Sequence, residues 1–109
     1  MTREQFNQVV ENRIHLIKQS LGTKAGEYAS DQSAFHNFQC AARVLGTTPT
    51  KALVGMYVKH HVSVMDFVEG NKEPQPHLVA EKIGDMINYL ILLEAMLYEE
   101  YDRYQELPF

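Results

Sequence analysis

Glu81 and Asp85 stand four residues apart, and Asn88 follows three further on. On a helix that spacing puts all three on one face. An oxygen-rich row of this kind suits a hard cation such as Mg²⁺, which takes carboxylates, waters and phosphate oxygens. A plainer reading stays open: Glu81 solvated near a helix start, Asp85 paired with a lysine. A second row is Lys59, Ser63 and Asp66 at i, i+4 and i+7, flanked by His60. Lys59 and Asp66 are two turns apart and cannot touch, so the row faces a third element. Either Asp66 sits on a metal with Lys59 or His60 on a phosphate, or the row makes a surface salt bridge of little energetic weight. The third acidic locus is Glu27, with Asp31 four residues on and Lys24 just before it. Asp31 also reads as a helix N-cap.

Other chemistries find less support. His60 and His61 are adjacent, so on a helix their rings diverge by about 100°. A two-histidine metal site needs i, i+4 spacing, and zinc is not expected. His15, His36 and His77 read as surface or capping residues. Cys40 is the single cysteine, beside Ala41 and Ala42. It reads as a buried, inert thiol. A lone cysteine rules out an internal disulfide and fits a reducing compartment. The chain has no P-loop, no G-x-G-x-x-G and no Ser-His-Asp arrangement with supporting spacing.

Four helices have to position these groups. Thr2-x-x-Gln5 reads as a capping box, and Phe6, Val9, Val10, Ile14, Ile17 and Leu21 recur at helical spacing up to the stop at Gly22. Ser30 or Asp31 can cap a second helix, whose inner face carries Phe35, Phe38, Ala41, Ala42 and Leu45 before Gly46. Thr48-Pro49 is a clear start signal, an N-cap followed by proline at the first helical position. The third helix then runs to about Glu69, with Gly70 as its stop. The turn-rich stretch Asn71–Pro76 leads into a fourth helix, expected to reach about Tyr104. From Met86 to Tyr98 that helix is apolar on nearly every side, which predicts that it is surrounded by protein. Asp85 at the mouth of such a helix then needs a partner. Tyr98, Tyr101 and Tyr104 form an aromatic stripe expected to pack on the core or on another chain.

No segment alternates like a strand. The reading is a single all-α domain over residues 1–109, a compact four-helix bundle. Fourteen acidic against 10 basic residues leave a net charge of −4. That gives no general attraction to a nucleic-acid backbone, and the arginines are scattered. The Met86–Tyr98 run spans 13 residues, short of the roughly 20 needed to cross a bilayer. Met1–Leu21 has scattered charges and no apolar signal-peptide core. A cytoplasmic protein without membrane contact is expected.

Glu81-Lys82-Ile83-Gly84-Asp85, followed by Met86-Ile87-Asn88-Tyr89-Leu90, resembles the E-E-L-G-D and apolar run of MazG-like all-α nucleoside triphosphate pyrophosphatases. The wider pattern is similar to small phage proteins of the nucleotide-modification-associated type. It takes in Glu27-Tyr28-Ala29, Asn37-Phe38 with Ala41 and Ala42, Lys59 through Asp66, and Asp85 through Tyr89. The resemblance implies a four-helix bundle, assembled as a homodimer or homotetramer, that binds a nucleotide through Mg²⁺, with water attacking between the α- and β-phosphates. Asp85 is the family ligand position carried over, and the reading built on it puts Glu81, Asp66 and Glu27 beside Asp85 on the metal side. Lys59, His60, Asn88 and Lys24 fall on the substrate side, and Asp85, Asp66 and Lys59 are the catalytic candidates. Two departures are visible. Lys82 stands where the family has a glutamate, and no E-x-x-E pair precedes Glu81. The rival reading is a non-enzymatic helical interaction or regulatory module.

Overall fold

The structure, a computed structural model, describes residues 1–22, 34–102 and 106–109. Its four described helices are α1 (Arg3–Leu21), α2 (His36–Leu45), α3 (Pro49–Val68) and α4 (Pro76–Glu100). The described residues contain no strand, so the fold class is all-α as expected. The chain divides into two units, Met1–Ala34 and Phe35–Phe109.

In the first unit the capping box forms as its residue types require. Thr2 N donates to Gln5 Oε1 at 2.8 Å, and Gln5 N donates to Thr2 Oγ1 at 3.1 Å. Two backbone donors with no partner inside the helix are thereby satisfied. α1 buries none of its residues, and Phe6, Val9, Val10 and Ile14 stay exposed.

The second unit holds the core. Gly46 ends α2 in the left-handed region, at φ 67°. Thr48 caps α3, its Oγ1 accepting from Lys51 N at 3.3 Å, and Pro49 occupies the first turn. Phe38 of α2, Leu53 of α3 and Met96 of α4 form the buried cluster, with Phe35, Tyr57, Tyr89, Leu92 and Leu93 packed against it. On α3 the seam residues are Leu53, Tyr57, His60 and Val64. On α4 they are Asp85, Tyr89, Leu92 and Met96. Both rows follow i, i+4, i+7, i+11, one stripe of an α-helix. Thr50 Oγ1 donates to Glu100 Oε2 at 2.8 Å, while His60 meets Asp85, so the two helices run antiparallel.

Three expectations need correction. α4 is not enclosed on all sides. Leu90, Ile91 and Leu97 are exposed, and only Gly84 and Met96 are buried. The seam covers one stripe of α4, and apolar composition alone does not supply a neighbour for the rest. α4 also stops at Glu100 rather than near Tyr104, with Tyr101 as C-cap and Asp102 at a positive φ of 54°. Cys40, finally, is half-buried rather than buried. The caps proposed at Ser30 and Asp31 lie outside the described residues, as does Tyr104; α2 begins at His36 with Phe35 before it. No described helix is long and apolar enough to cross a membrane.

Candidate functional site

One cross-helix contact joins the two polar rows found in the sequence. His60 Nδ1 of α3 lies 3.5 Å from Asp85 Oδ2 of α4. Both are seam residues, and the stripe spacing brings them face to face. The side chains are 23% and 37% exposed, so the pair is sheltered but partly open to solvent. Asp85 therefore does have the partner that its position demanded, and that partner is histidine rather than lysine.

Tyr89, one turn after Asp85, stacks its ring against His60. The centroids are 4.7 Å apart and the planes are tilted by 40°. Its other neighbour is Phe38 in the core, met edge-on at 5.9 Å and 75°. An edge-to-face pair of this kind fixes ring orientation through the aromatic quadrupole. The imidazole is thus held between a carboxylate on one side and a ring anchored in the core on the other. In the sequence, the signal for Tyr89 is its i, i+4 spacing from Asp85.

The other candidates gather less closely. Asn88 follows on α4, and its Oδ1 is buried without a hydrogen-bond partner. Glu81 is largely exposed and lies 3.8 Å from Lys82 Nζ. Lys59 is exposed beside His60, and Ser63 Oγ donates back to Lys59 O at 3.2 Å. Asp66 lies six residues beyond His60, about 9 Å along the helix axis. Its backbone oxygen accepts from Asn71 N and Lys72 N at the turn. Lys24 and Glu27 are outside the described residues.

Among the described residues no three His, Cys, Asp or Glu side chains are grouped so as to hold an ion. Glu81, Asp66 and Asp85 do not converge into a cage of their own. The described carboxylates alone therefore do not fit a resident metal.

Away from the seam, Cys40 Sγ lies 3.5 Å from His36 Nε2 and accepts from Arg43 Nη2 at 3.3 Å. All three sit on α2 at one-turn spacing. A cleft of about 220 Å³ opens near Thr50 and Glu100, lined mainly by Phe35, Pro49 and Met96 with Gln39 and Glu99. It is smaller than the roughly 300–1,000 Å³ of drug-sized sites. Compared with known proteins, the chain matches no family model, no curated protein and no solved structure.

Proposed function

We propose that the protein binds a nucleoside triphosphate at the α3–α4 seam, as a small helical protein of phage-type nucleotide metabolism. The observation that carries this reading is the half-sheltered contact between His60 and Asp85. An imidazole carries two ring nitrogens, so the one turned away from Asp85 is a hydrogen-bonding group that can face a ligand. Lys59, exposed on the adjacent position, adds a cationic donor for a phosphate oxygen. The MazG-like resemblance of Asp85 through Tyr89 supplies the ligand class. The reaction it implies is hydrolysis between the α- and β-phosphates, releasing a nucleoside monophosphate and pyrophosphate. Mg²⁺ enters as part of the nucleotide. Such an ion commonly keeps its waters and needs only one or two carboxylates besides the phosphates. Asp85 is the carboxylate in place for it.

The test is thermal melting with each deoxynucleoside triphosphate, with and without Mg²⁺. A ligand bound only by the folded state at about a hundred times its Kd adds about 2.7 kcal/mol. A raised melting temperature is expected, and pyrophosphate release then separates an enzyme from a binder. No shift with any of the four would refute the reading.

The second reading is a non-enzymatic helical module, here one that associates with its own copies. Val54, Val58 and Val62 of α3, at i, i+4 and i+8, are 43%, 51% and 53% exposed. Leu90 and Leu97 of α4 add to them. Apolar rows of that length on a soluble surface commonly mark interaction sites. Sedimentation velocity tests this reading: a monomer at all concentrations removes it.

A further inference from the structure

Helix α4 ends against its own dipole. Aligned peptide groups leave a helix C-terminus partly negative, so that end favours cations and disfavours carboxylates. The last turn of α4 holds no basic residue and instead carries Glu99 and Glu100, both exposed. Glu100 is held in place: its Oε2 accepts from Thr50 Oγ1, in the first turn of α3, at 2.8 Å. The cleft of about 220 Å³ opens at these same residues. Its apolar lining is Phe35, Pro49 and Met96, the last of them buried. Its charged lining is Glu99 and Glu100, and the described lining includes no basic side chain. The cleft therefore joins an apolar surface to charge of one sign.

We infer that this cleft binds a small aliphatic amine, its alkyl stem on Phe35, Pro49 and Met96 and its ammonium beside Glu99 and Glu100. Each part of the ligand answers one feature of the cleft. The apolar lining gives an alkyl stem a surface on which to leave water. The ammonium has donors and no acceptor, and ionised carboxylates only accept. It also sets a positive charge at the end of α4, where the dipole favours one. An alcohol of the same length brings no charge, and a carboxylate is repelled. The volume equals that of roughly seven water molecules in the liquid, which suits a ligand of about six non-hydrogen atoms. Thr50 stands ten residues before His60 on α3, about 15 Å along the axis. The cleft is thus separate from the His60–Asp85 contact and independent of what binds there.

The probe is n-pentylamine, titrated into the isotope-labelled whole chain at neutral pH and followed by two-dimensional NMR, beside pentanol and pentanoate. The amine is expected to give saturable shifts of the Gln39, Thr50 and Met96 amides. Pentanol should bind about tenfold or more weakly, because it lacks the charge-assisted hydrogen bonds to the carboxylates. Pentanoate should leave those amides unmoved. Glu99→Gln keeps the size of the side chain and should weaken the amine while leaving pentanol as it was. Glu99 is exposed, so this variant is expected to fold. If it does not, Glu100→Gln serves in its place, and the wild-type comparison needs no variant. Equal binding of amine and pentanol overturns the inference, because the carboxylates then select nothing. Shifts that never saturate, or that centre away from the cleft, overturn it as well.

Discussion

His60 Nδ1 and Asp85 Oδ2 meet at 3.5 Å across the seam between α3 and α4. The contact ties together two helices whose remaining seam residues are apolar or aromatic. Tyr89, stacked on the imidazole and edge-on to Phe38, links it to the core. A polar pair at such a place is a weak stabiliser. Exposed ion pairs contribute about 0–1 kcal/mol, and both members here are partly open to solvent.

Asp85→Asn is accordingly expected to leave the fold intact, with a stability change within about 1 kcal/mol. It should abolish the thermal shift given by Mg²⁺ and nucleotide and any associated pyrophosphate release. Circular dichroism melts checked against activity separate the two effects. Wild-type turnover in this variant would remove Asp85 from the site.

Leu53 is 1% exposed and sits at the centre of the Phe38–Leu53–Met96 cluster. Leu53→Ala should cost about 2–5 kcal/mol, the transfer term plus the cavity left behind. Urea unfolding would show this as a lower midpoint at an unchanged slope.

Gly46 turns the chain between α2 and α3 at φ 67°, with open space around its α-carbon. Sterics with neighbours are therefore not what restricts the position; backbone conformation is. Gly46→Ala should cost about 1–2 kcal/mol through the left-handed backbone alone. Gly46→Asn, which tolerates that region, should recover part of the loss in the same urea assay.

Tyr98 donates its hydroxyl to Glu94 Oε2 at 2.6 Å. That hydrogen bond first, then desolvation and the negative charge of Glu94, raise the phenol above its ordinary value of 10.0. A raised value means that the neutral phenol is favoured in the folded state. The resulting stabilisation is complete below the unfolded value and fades as pH climbs through the folded one. Spectrophotometric titration should find Tyr98 ionising later than a free tyrosine. Glu94→Gln should bring it back toward 10.0; an unmoved titration would rule out Glu94 as the cause.

Val58 lies in the middle of the exposed α3 row. Val58→Asp should change monomer stability by no more than about 0.5 kcal/mol, as for surface substitutions generally. If copies of the chain meet on this face, the same change should weaken assembly strongly in sedimentation velocity. Unaltered association would place the contact elsewhere.

The local signals read well from sequence because they are local in cause. Thr2 with Gln5, Thr48 with Pro49, and Gly46 act over one turn of chain, and each stands where its chemistry requires. Helical periodicity likewise gave the stripes containing His60 and Asp85. It could not say which stripe would face which. Nor could composition reveal that Leu90 and Leu97 stay exposed, since burial depends on what packs against a face.

Asp85 shows the division most clearly. The sequence by itself determined that a carboxylate would stand at the entrance of a long apolar helix, on one face with Glu81 and Asn88. It also determined that the protein would be all-α, because periodicity and caps are properties of the chain over a few residues. Only the tertiary structure decided that the partner is His60 and that Asp66 lies apart. The same packing leaves Asn88 Oδ1 stranded. These facts depend on the relative placement of two antiparallel helices. That placement is set by how Leu53, Tyr57, Leu92 and Met96 pack together across the seam.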